Sequence, residues 1–277
     1  MSERYVLLLC TLNPDRTDLS GNKYPESGYV SAKNFRFDDN ILRGLYGLLW
    51  GKSESKEWLN LDPEAKWVVV RTEINDDLIR LSNSFYKFRS GMIVCSGERD
   101  TCTEYIFKHA PAELQSSVIG FKKSSQIKDT HIMTNGFESC AITTAPSTHA
   151  VNVGEKGTAT SNGWNSHAIC TGNSANAKAA GDESLALTAL SGSNCESLGS
   201  DCRAIAAGNN STLVVGEKGM ALGLAPNCVV TAGEDSMVFL VYRDENDKLR
   251  GKIGYVGENL EANISYRLSE TGEFIRH

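Results

Sequence analysis

A nine-residue repeat fixes most of what this chain can become. Aligning Asn135–Thr143 (NGFESCAIT), Asn162–Cys170 (NGWNSHAIC) and Ala180–Thr188 (AGDESLALT) gives the shared pattern x-G-x-x-S-x-A-x-x. Steps of nine carry it from Gln126 to Leu240 as about thirteen units, two of them one residue short. Position 2 is Gly in nine units and position 7 is Ala in eight, and position 5 is nearly always Ser, Thr, Gly, Ala or Cys. A fixed short period is the signature of stacked units that bury a continuous core.

The spacing predicts a turn around position 2, where Gly would supply a positive φ, followed by a short strand. Side chains alternate along a strand, so positions 5, 7 and 9 point inward and 6 and 8 outward. The inward residues are small, which requires two sheets in close approach. Nine residues cannot encircle such a core, but eighteen can. The expected fold is therefore an α+β N-terminal domain (1–125), a parallel β-solenoid or β-roll of two repeats per turn (126–240), and a C-terminal β-hairpin cap (241–277). At roughly 4.8 Å per turn the solenoid would be about 30 Å long.

Separating alternate units splits the outward residues into two unlike faces. One carries His131/Met133, His149/Val151, His167/Ile169, Leu185/Leu187, Arg203/Ile205, Met220/Leu222 and Met237/Phe239. The other carries Cys140/Ile142, Thr158/Thr160, Asn176/Lys178, Asn194/Glu196, Thr212/Val214 and Val229/Thr231. An apolar strip of that length needs a cover. Leu185, Leu187, Ile205, Met220, Leu222 and Phe239 are thus the expected interaction face, with the N-terminal domain or a second copy of the chain as the candidate covers.

Outside the repeat, Tyr5–Leu12 and Trp67–Ile74 read as strands and Met92–Ser96 as a shorter one. Arg99–His109 has helical spacing and stops before Pro111. The segment Gly44–Gly51 (GLYGLLWG) fits no element cleanly. In the tail, apolar Phe239–Tyr242 and Leu249–Val256 flank charged Asp244–Lys248, a hairpin signal, and Ile264–Leu268 and Phe274–Ile275 suggest further strands. A solenoid needs an atypical end to hide its last rung.

No motif for chemistry is complete. Gly51-Lys52-Ser53 matches the end of a phosphate-binding loop, but Tyr46 stands where that loop needs Gly. Cys102 and His109 lie seven apart on the expected helix, about two turns distant, too far for a nucleophile–base pair. His131, His149 and His167 are spaced by eighteen and should stack on successive rungs. They are the candidate metal ligands, although a packed ladder is the favoured reading because no carboxylate or fourth ligand accompanies them. Calcium rolls repeat an Asp ligand, and these units carry Ser or Ala there. The expectation is no catalytic residue, no metal and no cofactor.

Charge and cysteine usage bound the partners. Residues 126–240 hold 5 basic and 10 acidic side chains, and the whole chain has net charge −6. An acidic solenoid has no electrostatic attraction to nucleic acid. No apolar run reaches the roughly 18 residues of a membrane-spanning helix. Eight cysteines without an export signal suggest reduced thiols in a cytoplasm.

The unit Ala180-Gly181-Asp182-Glu183-Ser184-Leu185-Ala186 and the ending Tyr266-Arg267-Leu268…Gly272-Glu273-Phe274 resemble a loose group of bacterial and phage-encoded proteins. Those proteins join an N-terminal α+β domain to a solenoid of T-G-D-x-S-A-A repeats and a short cap. The group brings no catalytic residues to carry over. More distantly, the Ser-x-Ala units resemble the β-roll heads of bacterial trimeric adhesins, which have a different repeat length.

These features together point to a non-catalytic protein-interaction module, a rigid solenoid bracing an N-terminal recognition domain, for which bacterial-immunity or phage-related roles fit. One rival is an enzyme with its site in residues 1–125, around Gly44–Gly51. Another is a structural oligomer assembled through the apolar face. The expected partner is another protein or a second copy, not a membrane.

Overall fold

The computed structural model describes residues 5–52, 59–82 and 84–277. They form two compact units, 1–121 and 122–277.

The first unit is built on an antiparallel sheet. Its strands are β1 (Tyr5–Leu12), β2 (Gly28–Ser31), β3 (Leu45–Leu49), β4 (Lys66–Glu73), β5 (Ile79–Arg80), β6 (Phe85–Phe88) and β7 (Ser90–Gly97), in the order β2-β7-β4-β1-β3-β6-β5. Strand β1 (YVLLLCTL) is buried from Val6 onward, so both its faces are covered. Such a strand reads as a continuous apolar run rather than an alternating one. The helix α1 (Arg99–His109) packs on β1, β4 and β7 through Cys102, Thr103 and Ile106. Asp100 in its first turn and Lys108 and His109 in its last complement the helix dipole.

Gly44–Gly51, unclassifiable in the sequence, is largely β3, seated between β1 and β6. Its glycine Gly47 lies against the Leu9 carbonyl and the Cys10 thiol, where a Cβ would collide with both. Lys87 of β6 is wholly buried. Its Nζ donates to the Asp38 carboxylate (2.9 Å), the Asn40 carbonyl (3.3 Å) and the Asp38 carbonyl, pinning the loop that precedes β3 to the sheet.

The second unit is the parallel β-solenoid, of about seven turns. Its rung strands run from β8 (Lys122–Ser125) to β21 (Met237–Arg243), alternating between two sheets so that each strand pairs with the one eighteen or seventeen residues on. The register joins Ala141 to Ala159, Ala159 to Ala177, and Ala168 to Ala186 to Ala204. The first strand, KKSS, lies ahead of Gln126 and carries neither the Gly nor the Ala of the pattern.

Positions 5, 7 and 9 point inward, as alternation requires. Ala141, Ala150, Ala159, Ala168, Ala186, Ala204 and Ala221 are fully buried. The position-5 serines do more than fit. Ser184 Oγ accepts from the Ser166 amide (3.2 Å) and donates to the Gly163 carbonyl (3.3 Å), and Ser166 Oγ accepts from the Thr148 amide (3.3 Å). Hydroxyls thereby satisfy turn amides and carbonyls that a dry core would otherwise strand.

The turn chemistry differs from the sequence expectation. Positive φ belongs to position 4, not to the position-2 glycine. Glu138, Lys156, Asn165, Ser174, Glu183, Asp201 and Asn210 all sit between 48° and 56°. That conformation turns the position-4 amide toward the next rung, where Glu138 donates to Glu155 O (3.0 Å) and Lys156 to Asn173 O (2.8 Å). The position-2 glycines serve close stacking instead. A Cβ on Gly172 would fall on the Gly154 carbonyl, and one on Gly181 on the Gly163 carbonyl. The repeat needs Gly at position 2 because backbone lies directly beneath it, a steric rather than a conformational demand.

The tail closes the C-terminal end of both sheets. Strand β22 (Leu249–Tyr255) pairs antiparallel with β21 over seven residues, and β23 (Ser265–Leu268) pairs with the last strand of the other sheet and with β24 (Phe274–Arg276). The core widens as it approaches this end, from alanines to Leu213, Val215, Val230, Val238 and Leu240, and is sealed by Val256, Leu260 and Tyr266. Antiparallel capping ends the parallel ladder and covers its edges.

Candidate functional site

The outward positions of the solenoid form two stacked columns on each sheet. On one sheet the first column runs His131, His149, His167, Leu185, Arg203, Met220, Met237, and the second runs Met133, Val151, Ile169, Leu187, Ile205, Leu222, Phe239. Parallel in-register pairing sets each residue about 4.8 Å from its neighbour in the column. Most of these side chains are half-buried by one another, while Met133 is 48% exposed. Leu185, Leu187, Ile205, Met220, Leu222 and Phe239, the residues expected to form an interaction face, therefore lie together on one surface. The second column is apolar throughout, whereas the first begins with three histidines and is broken again by Arg203.

The surface extends further than the repeat shows. Strand β22 continues the sheet, with Ile253 opposite Phe239 and Tyr255 opposite Met237. Both are 44% exposed. Gly251 lets β22 lie close, since a Cβ there would strike the Phe239 ring. The period ends at Leu240, so counting in nines could not find Ile253 and Tyr255; the alternation within KIGY is the one signal that could.

The three histidines stand edge to face. Ring centroids are 4.5 Å apart for His131–His149 and 4.4 Å for His149–His167, with planes 72° and 78° apart. Among the described residues no group of three His, Cys, Asp or Glu is arranged to hold a metal ion. Desolvation holds His149 below the usual imidazole range, helped by the neighbouring His167 and His131. His167 is lowered by desolvation and then by the charge of Arg203.

The opposite sheet presents mostly polar columns: Cys140, Thr158, Asn176, Asn194, Thr212, Val229 and Ile142, Thr160, Lys178, Glu196, Val214, Thr231. Neighbouring rungs bond laterally. Asn194 Nδ2 donates to Asn176 Oδ1 (2.8 Å), and Lys178 pairs with Glu196 at 3.1 Å.

In the first unit, shifted titratable groups do gather, but out of reach of solvent. Burial raises Cys10, Tyr24, Tyr46 and Asp18. All four are nearly inaccessible, and the Asp18 carboxylate is occupied by the amides of Ser20 and Asn22 and by Asn22 Nδ2. This is a turn lock rather than an acid–base pair with access to substrate. Gly51-Lys52-Ser53 follows strand β3, with Gly51 at φ 64°; Lys52 bridges to Val118, and Ser53 lies outside the described residues. His109 Nδ1 donates to the Tyr105 carbonyl (2.7 Å) and its ring stacks on that of Tyr105, while Cys102 meets Cys95. Cys102 and His109 are not brought together. No helix among the described residues is long and apolar enough to cross a membrane.

Comparison with known proteins finds bacterial ice nucleation proteins. The chain is 28% identical over 109 residues to ice nucleation protein InaU of Pantoea ananas, covering 39% of this chain and 10% of that protein. It is 32% identical over 106 residues to an ice nucleation protein of Pseudomonas fluorescens, covering 38% and 9%. It is 27% identical over 133 residues to ice nucleation protein InaA of Pantoea ananas, covering 46% and 10%. The chain thus spans about a tenth of the length of these relatives. No family model and no solved structure matches it.

Proposed function

We propose that the solenoid is a non-catalytic structural element that binds a protein surface through its apolar outer face, in the same chain as an N-terminal recognition unit, and that the simplest occupant is a second copy. One observation carries this: Leu187, Ile205, Leu222 and Phe239 form an unbroken apolar column, extended by Ile253, on the outside of a rigid sheet. The likeness to ice nucleation proteins is in keeping with a structural rather than catalytic role. Nothing in those similarities favours the bacterial-immunity or phage-related roles.

The geometry sets the strength of the contact. Strands of four residues stacked over seven rungs give a face of roughly 13 Å by 30 Å, about 400 Å² per copy. Two such faces together fall below the ~1,200 Å² of a standard stable interface, so pairing through this sheet alone is weak and concentration-dependent. Light scattering on the full chain across a wide concentration range tests it. The expected result is a rise in mass with concentration that Leu187→Asp abolishes. A constant monomer mass at every concentration overturns the pairing.

The polar sheet supports a second reading, contact with ordered water or ice, on the stacked Thr158, Thr160, Asn176, Asn194, Thr212 and Thr231 and on the likeness to ice nucleation proteins. The Lys178–Glu196 pair interrupts that array. Droplet freezing decides: purified chain should raise the freezing temperature over buffer and Thr158→Lys should reduce the effect, whereas freezing at the buffer temperature removes the reading.

A further inference from the structure

The reduced thiols of Cys95 and Cys102 are within one small movement of each other. Cys95 lies near the end of β7 and Cys102 in the first turn of α1, and the chain reverses between them through Gly97 and Glu98. Their Sγ atoms are 3.8 Å apart. A disulfide needs about 2.05 Å, so closing the bond requires the sulfurs to approach by roughly 1.8 Å, within reach of side-chain rotation without unfolding either element. The two thiols differ in access. Cys95 is partly exposed, and Cys102 is fully buried with its thiol also directed at the Trp67 carbonyl (3.2 Å). The solenoid cysteines are differently placed: Cys195, Cys202 and Cys228 donate to the Ala186, Ser197 and Gly208 carbonyls inside the core.

We propose that Cys95 and Cys102 form a redox-closable dithiol, with Cys95 the residue that meets the oxidant and Cys102 the one that resolves it. A low-molecular-weight disulfide such as oxidised glutathione supplies the oxidising equivalents. Cys95 loses its proton to solvent and its thiolate attacks one sulfur of the oxidant, forming a mixed disulfide and expelling one thiolate. Cys102 then loses its proton and attacks the Cys95 sulfur, forming the internal bond and expelling the second thiolate. Two protein thiols and one small disulfide become one protein disulfide and two small thiols, with two electrons and two protons passed to the oxidant. Burial raises both thiols above the ordinary range, so the reaction is slow at neutral pH and quickens in base. The product staples the first turn of α1 to β7.

The test is native oxidation of the full chain with oxidised glutathione at alkaline pH, followed by acid quench, alkylation and mass spectrometry. Trypsin cuts after Arg89, Arg99 and Lys108, so the two cysteines fall on separate peptides. The expected product is a linked pair of those peptides, two hydrogens lighter than their sum, restored by reductant. Cys102→Ser should instead halt at a single glutathione adduct on Cys95. Alkylation of both cysteines after exposure, or a stable Cys95 adduct in the unsubstituted chain, overturns the proposal.

Discussion

Rung packing makes a sharp prediction at Asn152 and Gly157. Gly157 occupies position 5, where its neighbours in the column are Ser139 and Ala175, and it is buried. The space a side chain would take is filled by Asn152, whose carboxamide supplies all three of the nearest atoms to a Cβ built there. Asn152 Nδ2 donates to Thr134 Oγ1 (2.8 Å), Ser139 O (2.8 Å) and Ser139 Oγ (2.9 Å), while its buried Oδ1 has no partner. Gly157→Ser should therefore overpack the core by about 1–3 kcal/mol and dislodge hydrogen bonds worth about 0.5–1.5 kcal/mol each, a loss near 2–4 kcal/mol. Asn152→Thr alone empties that space and should cost about 1–3 kcal/mol. Combined, the two changes reproduce the pairing already present at Thr188 and Ser193. The double variant should recover most of the loss, a favourable coupling above about 1 kcal/mol in a urea-denaturation cycle. Additive effects, with coupling below about 0.5 kcal/mol, would refute the idea that Asn152 stands in for the missing position-5 side chain.

Three further outcomes follow from the same packing. Ala186→Leu, inserted between the buried Ala168 and Ala204, should destabilise by about 1–3 kcal/mol or more, read as a lower Tm. Lys87→Met removes the buried donor to the Asp38 and Asn40 carbonyls and the Asp38 carboxylate and should cost about 1–3 kcal/mol, with faster proteolysis in residues 33–43. His149 and His167 titrate below the ordinary imidazole value in the folded chain, so on acidification the unfolded state binds protons first. Their contribution is complete above pH ~6.5 and is lost as pH falls from there toward their folded values; Tm should drop between pH 7 and pH 5, and His149→Gln with His167→Gln should flatten the slope.

The solenoid was legible because its period is physical: in-register stacking repeats one environment, and Ala186 or Ser184 must look like Ala168 or Ser166. Two of its features were not. Gly172 and Gly181 carry the same letter whether a turn needs positive φ or a neighbour lies too close, and only the stacked backbone shows that the second is true. Lys122–Ser125 joins the ladder through backbone pairing alone, with no small inward residue at Lys123 to announce it. In the first unit, strands β1 and β4 carry long apolar runs and helix α1 stops just before Pro111, and their positions were readable. Leu45–Leu49 carries a glycine and Phe85–Phe88 spans four residues, too little period to assign. Of the candidate site, alternation gave Leu187, Ile205 and Leu222 a common face, but Ile253 joins it through an antiparallel register that no repeat encodes. The Cys95–Cys102 contact depends on α1 folding back on β7, a tertiary event invisible in spacing.

Footprinting of the outer face tests the central claim most directly. Carbene or hydroxyl-radical labelling of Leu187, Leu222, Met220, Met237 and Phe239 is compared with that of Thr158 and Thr160 across a concentration series of the full chain. The proposed pairing predicts that the apolar columns lose labelling as concentration rises while the threonine face does not change, and that Leu187→Asp removes the difference. Labelling of the apolar columns that stays the same at every concentration would contradict it.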